Sequence, residues 1–160
     1  MERVTARGVV PVTRRRLLVI AGAGLAATAL ADLRSARAAP EAMAEAIRRL
    51  IGTRSPMPGR ITFTIPSVVE TGNLVPVTVA VESPMTAGDR VRAIHLVDDG
   101  NPAPDIASYR FGPAAGKAEI SARIRLLQSQ TVVALAELAD GSVWSAAAEV
   151  TVAFGACADT

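Results

Sequence analysis

The sequence predicts an all-β protein: an immunoglobulin-like antiparallel β-sandwich of about seven strands with a short N-terminal helix. From Arg60 onward, apolar and β-branched residues alternate with a period of two in segments separated by turn residues. No long helical pattern intervenes between those segments, which is the spacing of two packed sheets rather than of strand–helix–strand units. Half of the 160 residues are hydrophobic although aromatics make up only 3%. Such a chain is too apolar to stay disordered and long enough for one domain or little more.

The first element is a targeting segment. Thr13-Arg14-Arg15-Arg16-Leu17-Leu18 precedes an uncharged run from Leu17 to Ala31, and Ala36-Arg37-Ala38 places small residues where a signal peptidase reads. The run is about 15 residues of mostly Ala, Gly and Leu, shorter than the roughly 20 apolar residues of a spanning helix. Residues 1–38 therefore read as a twin-arginine export signal with Arg14 and Arg15 as its pair, implying a periplasmic protein exported by the twin-arginine route. Removal after Ala38 takes away seven Arg and two acids, and the formal charge of +2 becomes −3, from ten basic and thirteen acidic residues. A mature domain of that sign, without a basic patch interleaved with aromatics, gives no reason to expect nucleic acid as a partner. Once the signal is gone, nothing calls for stable membrane insertion.

Residues 41–51 follow as a short helix. Glu41 and Glu45 come early, Arg48 and Arg49 late, Met43, Ile47, Leu50 and Ile51 recur at helical spacing, and Gly52 stops it. The strands are Arg60 to Ile65, Leu74 to Glu82, Val91 to Asp98, Ile106 to Phe111, Lys117 to Leu126, Thr131 to Leu138 and Val143 to Phe154. Between them lie Thr71-Gly72-Asn73, Ser83-Pro84, Asp99-Gly100-Asn101-Pro102, Gly112-Pro113 and the hairpin signal Asp140-Gly141. In Val75–Val81 the four Val share one face, which orients them inward. Pro76 cannot donate to a ladder, so its strand begins at an edge or leaves one side unpaired there. In Lys117–Leu126 the even positions face in, while Glu119, Arg123 and Arg125 face out as a solvated face or the rim of a partner interface.

Much chemistry is excluded. One Cys and one His rule out an intramolecular disulfide and a Cys/His zinc site. There is no glycine-rich phosphate loop and no nucleophile elbow. No metal site and no catalytic residue is assigned. His95, flanked by Ile94 and Leu96, reads as a packed or interface histidine rather than a base. Asp98 and Asp99 read as turn chemistry leading into Gly100-Asn101-Pro102.

The sharp feature is Cys157, the single thiol, in Gly155-Ala156-Cys157-Ala158-Asp159-Thr160. Residues 155–160 read as a flexible C-terminal arm, because Gly155 and its small neighbours offer no anchor. An unpaired thiol in an exported protein risks oxidation, so its presence asks for a reason.

Taken in order, the twin-arginine signal, Val75-Pro76-Val77-Thr78-Val79, Ser83-Pro84-Met85-Thr86, Asn101-Pro102-Ala103-Pro104, Ala122-Arg123-Ile124-Arg125-Leu126 with Gln128-Ser129-Gln130, Asp140-Gly141-Ser142-Val143-Trp144 and the terminal Cys resemble the SoxY family. That family supplies the sulfur-carrier subunit of the SoxYZ complex in thiosulfate oxidation. The resemblance covers nearly all of the mature chain. It implies a SoxY-like β-sandwich over 39–154, a heterodimer with a SoxZ-like subunit, and covalent attachment of sulfur intermediates at Cys157. It further implies that SoxXA, SoxB and SoxCD act on the loaded cysteine and that the carrier itself catalyses nothing. No resident cofactor is implied beyond the covalently bound sulfur. The family tail reads Gly-Gly-Cys-Gly-Gly, whereas Ala156 and Ala158 flank the cysteine here and Asp159 follows.

Elementary chemistry agrees with a carrier. Gly155, Ala156 and Ala158 make a thin tether, and the three residues from Phe154 to Cys157 extend roughly 10 Å. An exposed thiol near its reference pKa of about 8.5 is only a few per cent thiolate at neutral pH, which leaves activation to the loading partner. Two other classes fit the same residues: a non-catalytic immunoglobulin-like assembly module, and a thiol redox or dimerisation protein.

Overall fold

A computed structural model describes residues 40–156. The chain divides into Met1–Ala38 and Ala39–Thr160. The export signal with Arg14 and Arg15 lies outside the described residues, as do residues 157–160. Helix α1 spans residues 40–51. Among the described residues nine strands follow: β1 Met57–Pro58, β2 Ile61–Thr64, β3 Val68–Thr71, β4 Val75–Val81, β5 Val91–Asp98, β6 Asp105–Arg110, β7 Ala118–Ile124, β8 Gln130–Leu138 and β9 Val143–Phe154.

The strands form two sheets, the immunoglobulin-like sandwich that the alternation predicts. The larger runs β1-β9-β8-β5-β6 with β3 also on β9, and the smaller runs β2-β4-β7. All seven expected strands are present. The two additional ones, β1 and β3, pair parallel with β9, at Trp144–Ser145 and Thr151–Phe154. They depart from the all-antiparallel expectation because their segments are too short to show alternation, and β1 contains a proline.

The core lies between the sheets. Val75, Val77, Val79 and Val81 of β4 face Ile94, Leu96, Val132, Ala134, Ala136 and Leu138 of the larger sheet. Fully burying each such Val, Leu or Ile contributes about 1.5–3 kcal/mol. The even positions of β7 point inward and Glu119 and Arg123 outward, as the pattern predicts. β4 is central rather than an edge, but β2 reaches only from Thr78 to Val81, so Pro76 has one side without a ladder partner. A proline is tolerated there because no neighbouring carbonyl awaits its missing N–H.

β5 is buried on both faces because α1 covers the outer one. Met43, Ile47, Leu50 and Ile51, the four residues at helical spacing, pack on Val97, Val133, Leu135 and Val143. Gly52, at φ +69°, ends α1 by donating its N–H to the Arg48 carbonyl at 2.8 Å. This left-handed conformation favours glycine.

Candidate functional site

The end of the sandwich where β9 runs out is built from three backbone segments. Gly72 N–H donates to the Phe154 carbonyl at 2.9 Å, Leu126 N–H to the Gly72 carbonyl at 2.8 Å, and Ala156 N–H to the Leu126 carbonyl at 3.0 Å. Two glycines allow this closeness. A Cβ on Gly72 would stand 1.9 Å from the Leu126 carbonyl oxygen, and one on Gly155 would stand 1.8 Å from that of Leu127. The obstacle in both cases is backbone, which cannot swing aside as a side chain can.

The first two residues of the expected arm are therefore anchored, in contrast to the sequence reading, which found nothing to hold them. Ala156 is only 7% exposed. Gly155 serves close backbone approach here, a role independent of any thinness it lends a tether. Cys157 and Ala158 lie beyond the described residues, so the peptide after the anchored Ala156 carries the thiol.

The loop that grips the arm is itself held by Asn101. Its side-chain amide donates to the Arg125 carbonyl at 3.0 Å and to Asp98 Oδ2 at 2.6 Å, and its Oδ1 accepts from Leu127 N–H at 3.1 Å. Asp98 is fully buried and accepts at Oδ1 from the backbone of Gly100 and Asn101, at 3.2 and 2.8 Å. Burial pushes its carboxyl up to about 6, against the opposing pull of those hydrogen bonds, and neighbouring Asp99 adds to the rise. Asp99 Oδ1 accepts from Thr131 N–H at 2.8 Å. The acidic pair is thus turn chemistry, as the sequence suggested, and the turn braces the arm's root. Sequence reasoning took Gly72 as a turn residue and Asn101 as a turn residue and part of a family motif, and missed the bracing role of both because their partners lie 54 and 26 positions further along the chain, at Leu126 and Leu127.

His95 lies on the outer face of β5, 3% exposed, and both ring nitrogens are partnered. Nδ1 is 2.7 Å from Ser108 Oγ and Nε2 is 2.9 Å from Glu137 Oε1. Arg54 pairs with Glu137 and also donates to the Ile51 carbonyl at 2.7 Å, tying the end of α1 to the sheet. Burial acts to raise the Glu137 carboxyl, but hydrogen bonds from His95 and Arg54 more than offset it and hold it below the usual glutamate value. His95 is packed, as the sequence reading expects, but it also stands between a hydroxyl and a carboxylate, an arrangement that reading did not foresee. Among the described residues no group of three or more His, Cys, Asp or Glu could hold a metal ion, and no helix is long and apolar enough to cross a membrane.

An immunoglobulin-like sandwich that clamps its last strand at one end, directly ahead of a single cysteine, is the class these features define. A family model described as sulfur oxidation protein SoxY matches residues 47–157. The chain belongs to the SoxY family. The sulfur carrier protein SoxY from Chlorobium limicola f thiosulfatophilum is similar in structure, with a TM-score of 0.60 and 28% identity over 71% of this chain and 97% of that one. A superoxide reductase (neelaredoxin) from Ignicoccus hospitalis shares the fold alone, with a TM-score of 0.52 and 21% identity over 59% of this chain and 80% of that one. No curated protein matches the chain.

Proposed function

We propose that this protein is a periplasmic sulfur carrier that holds thiosulfate-derived sulfur covalently on Cys157 while partner enzymes process it. One observation carries the reading: the family match extends through residue 157, and the backbone is clamped as far as Ala156. The thiol thus follows immediately on a rigid root, which gives visiting enzymes a fixed point from which to find it. Loading joins the Cys157 sulfur to the outer sulfur of thiosulfate in a two-electron oxidation whose electrons leave through the loading partner, a SoxXA-type enzyme. SoxB-type hydrolysis then releases sulfate, and SoxCD-type oxidation acts on the sulfur left on the cysteine. Within this reading the chain contributes attachment and presentation, not catalysis.

A SoxZ-like subunit is the proposed partner in a heterodimer. The outward Thr78, Ser121 and Arg123, beside a depression of about 310 Å³ on the smaller sheet, offer a face that α1 does not cover.

Intact-mass measurement of protein purified without reductant from cells grown on reduced sulfur tests the attachment. Sulfur-containing adducts that map to Cys157 and vanish in Cys157→Ser are expected. Unmodified thiol throughout overturns the carrier reading, and a reductant-sensitive dimer without sulfane adducts would point to a redox linker instead. Co-purification with a SoxZ-like chain, read by complex mass, tests the heterodimer.

A further inference from the structure

The Ser108–His95–Glu137 constellation lies on β6, β5 and β8 and is used by nothing in the carrier reading. We propose that Ser108 is a nucleophilic serine, activated by His95 and aligned through Glu137, that accepts acyl groups from activated esters at the open edge of the larger sheet.

The sheet register creates the arrangement. His95 stands directly opposite Ser108, and Glu137 lies two residues beyond Leu135, the partner of His95 on β8. Phe111 N–H donates to the Arg92 carbonyl at 2.9 Å, which marks that pair as hydrogen-bonded. Alternation along the antiparallel ladder then makes His95–Ser108 a non-hydrogen-bonded pair, in which facing side chains come closest. That accounts for the 2.7 Å separation of Nδ1 and Oγ. It also turns the backbone N–H of Ser108 away from β5. Because β6 ends the sheet order among the described residues, that N–H faces out along the sheet edge.

Protonation follows from the partners. An ionised Glu137 can only accept, so Nε2 carries the imidazole proton and Nδ1 is left to accept from the Ser108 hydroxyl. Hydrogen bonds from His95 and Arg54 outweigh burial in favouring the ionised Glu137, and Arg54 also holds it in place. His95 is buried while Ser108 is exposed, so the base is oriented and the nucleophile accessible. This is the relation of nucleophile, base and orienting carboxylate that activates a hydroxyl.

In the proposed step, Oγ attacks the ester carbonyl carbon while the Ser108 proton passes to Nδ1. The Oγ–C bond forms, the bond from that carbon to the leaving oxygen breaks, and the proton moves on to the leaving oxygen. No electrons are exchanged with an outside partner. The free Ser108 N–H is placed to donate to the developing oxyanion.

The full chain is treated with p-nitrophenyl acetate and acetylation is mapped by residue, with Ser121 as the internal reference. Ser121 is exposed and hydrogen-bonded to Thr78 at 3.1 Å, with no imidazole beside it. Acetylation of Ser108 on the order of 100-fold faster than that of Ser121 is expected, or, where the acetyl group turns over, steady nitrophenol release from Cys157→Ser protein that Ser108→Ala lowers to the background of the remaining surface nucleophiles. Ser108 reacting no faster than Ser121, with release unchanged in Ser108→Ala, overturns the proposal. Full Ser108 reactivity in folded Glu137→Gln also overturns it. Because the reading is at Ser108, failure leaves the Cys157 assignment untouched.

Discussion

Gly155 and Leu127 approach so closely that a Cβ on the glycine would come within 1.8 Å of the leucine's carbonyl oxygen. The arm of this SoxY-family protein therefore begins as packed backbone, held through Ala156 by the Leu126 carbonyl.

Gly155→Ala should pull that root away from the loop, because neither backbone can yield without breaking the Ala156–Leu126 hydrogen bond. A stability loss of about 1–3 kcal/mol is expected, together with faster hydrogen exchange at the Ala156 amide. Unchanged exchange would show that the clamp does not depend on glycine.

Asn101→Ala removes one donated and one accepted hydrogen bond to residues 125–127 and a second donated one to Asp98. The expected cost is about 1–3 kcal/mol, with the Leu127 amide losing protection while α1 keeps its own. Equal loss of protection across the whole protein would mean that the brace is part of the global core.

Asp98 makes stability depend on pH in the opposite sense from a salt-bridged carboxylate. Its native value is raised from 3.8 to about 6, so the folded protein holds a proton that the unfolded chain releases in between. Its contribution is complete below the unfolded value and is lost as pH rises through about 6. Urea titrations from pH 4 to 7 should show this falling component in the wild type but not in Asp98→Asn. Parallel curves for the two proteins would contradict it.

Leu135→Ala empties the centre of the contact between α1 and the sheet, where Leu135 is fully buried. A cost of about 2–5 kcal/mol is expected from urea melts, with exchange quickening first in the amides of α1. A loss below 1 kcal/mol would mean that the helix contributes little to the fold.

The strand alternation was legible because the side-chain period is a local property: the Val row of β4 and the inward positions of β7 follow from sequence order alone. The four apolar positions of α1 were legible for the same reason. At the site, the single cysteine and the glycine before it stand out in the sequence, but the partners of that glycine do not. Leu127 lies 28 positions upstream of Gly155, and nothing in either segment announces the other.

By itself the sequence determined the class of fold, the seven main strands, the family and the one thiol, since each is a matter of residue type and near-neighbour spacing. Only the tertiary structure decided that β1 and β3 pair parallel with β9, that Gly72 and Asn101 brace the arm, and that His95 meets Ser108 and Glu137. The reason is physical: backbone hydrogen bonds and cross-strand pairs are set by register between distant segments, and one residue of slip would send every side chain to the other face.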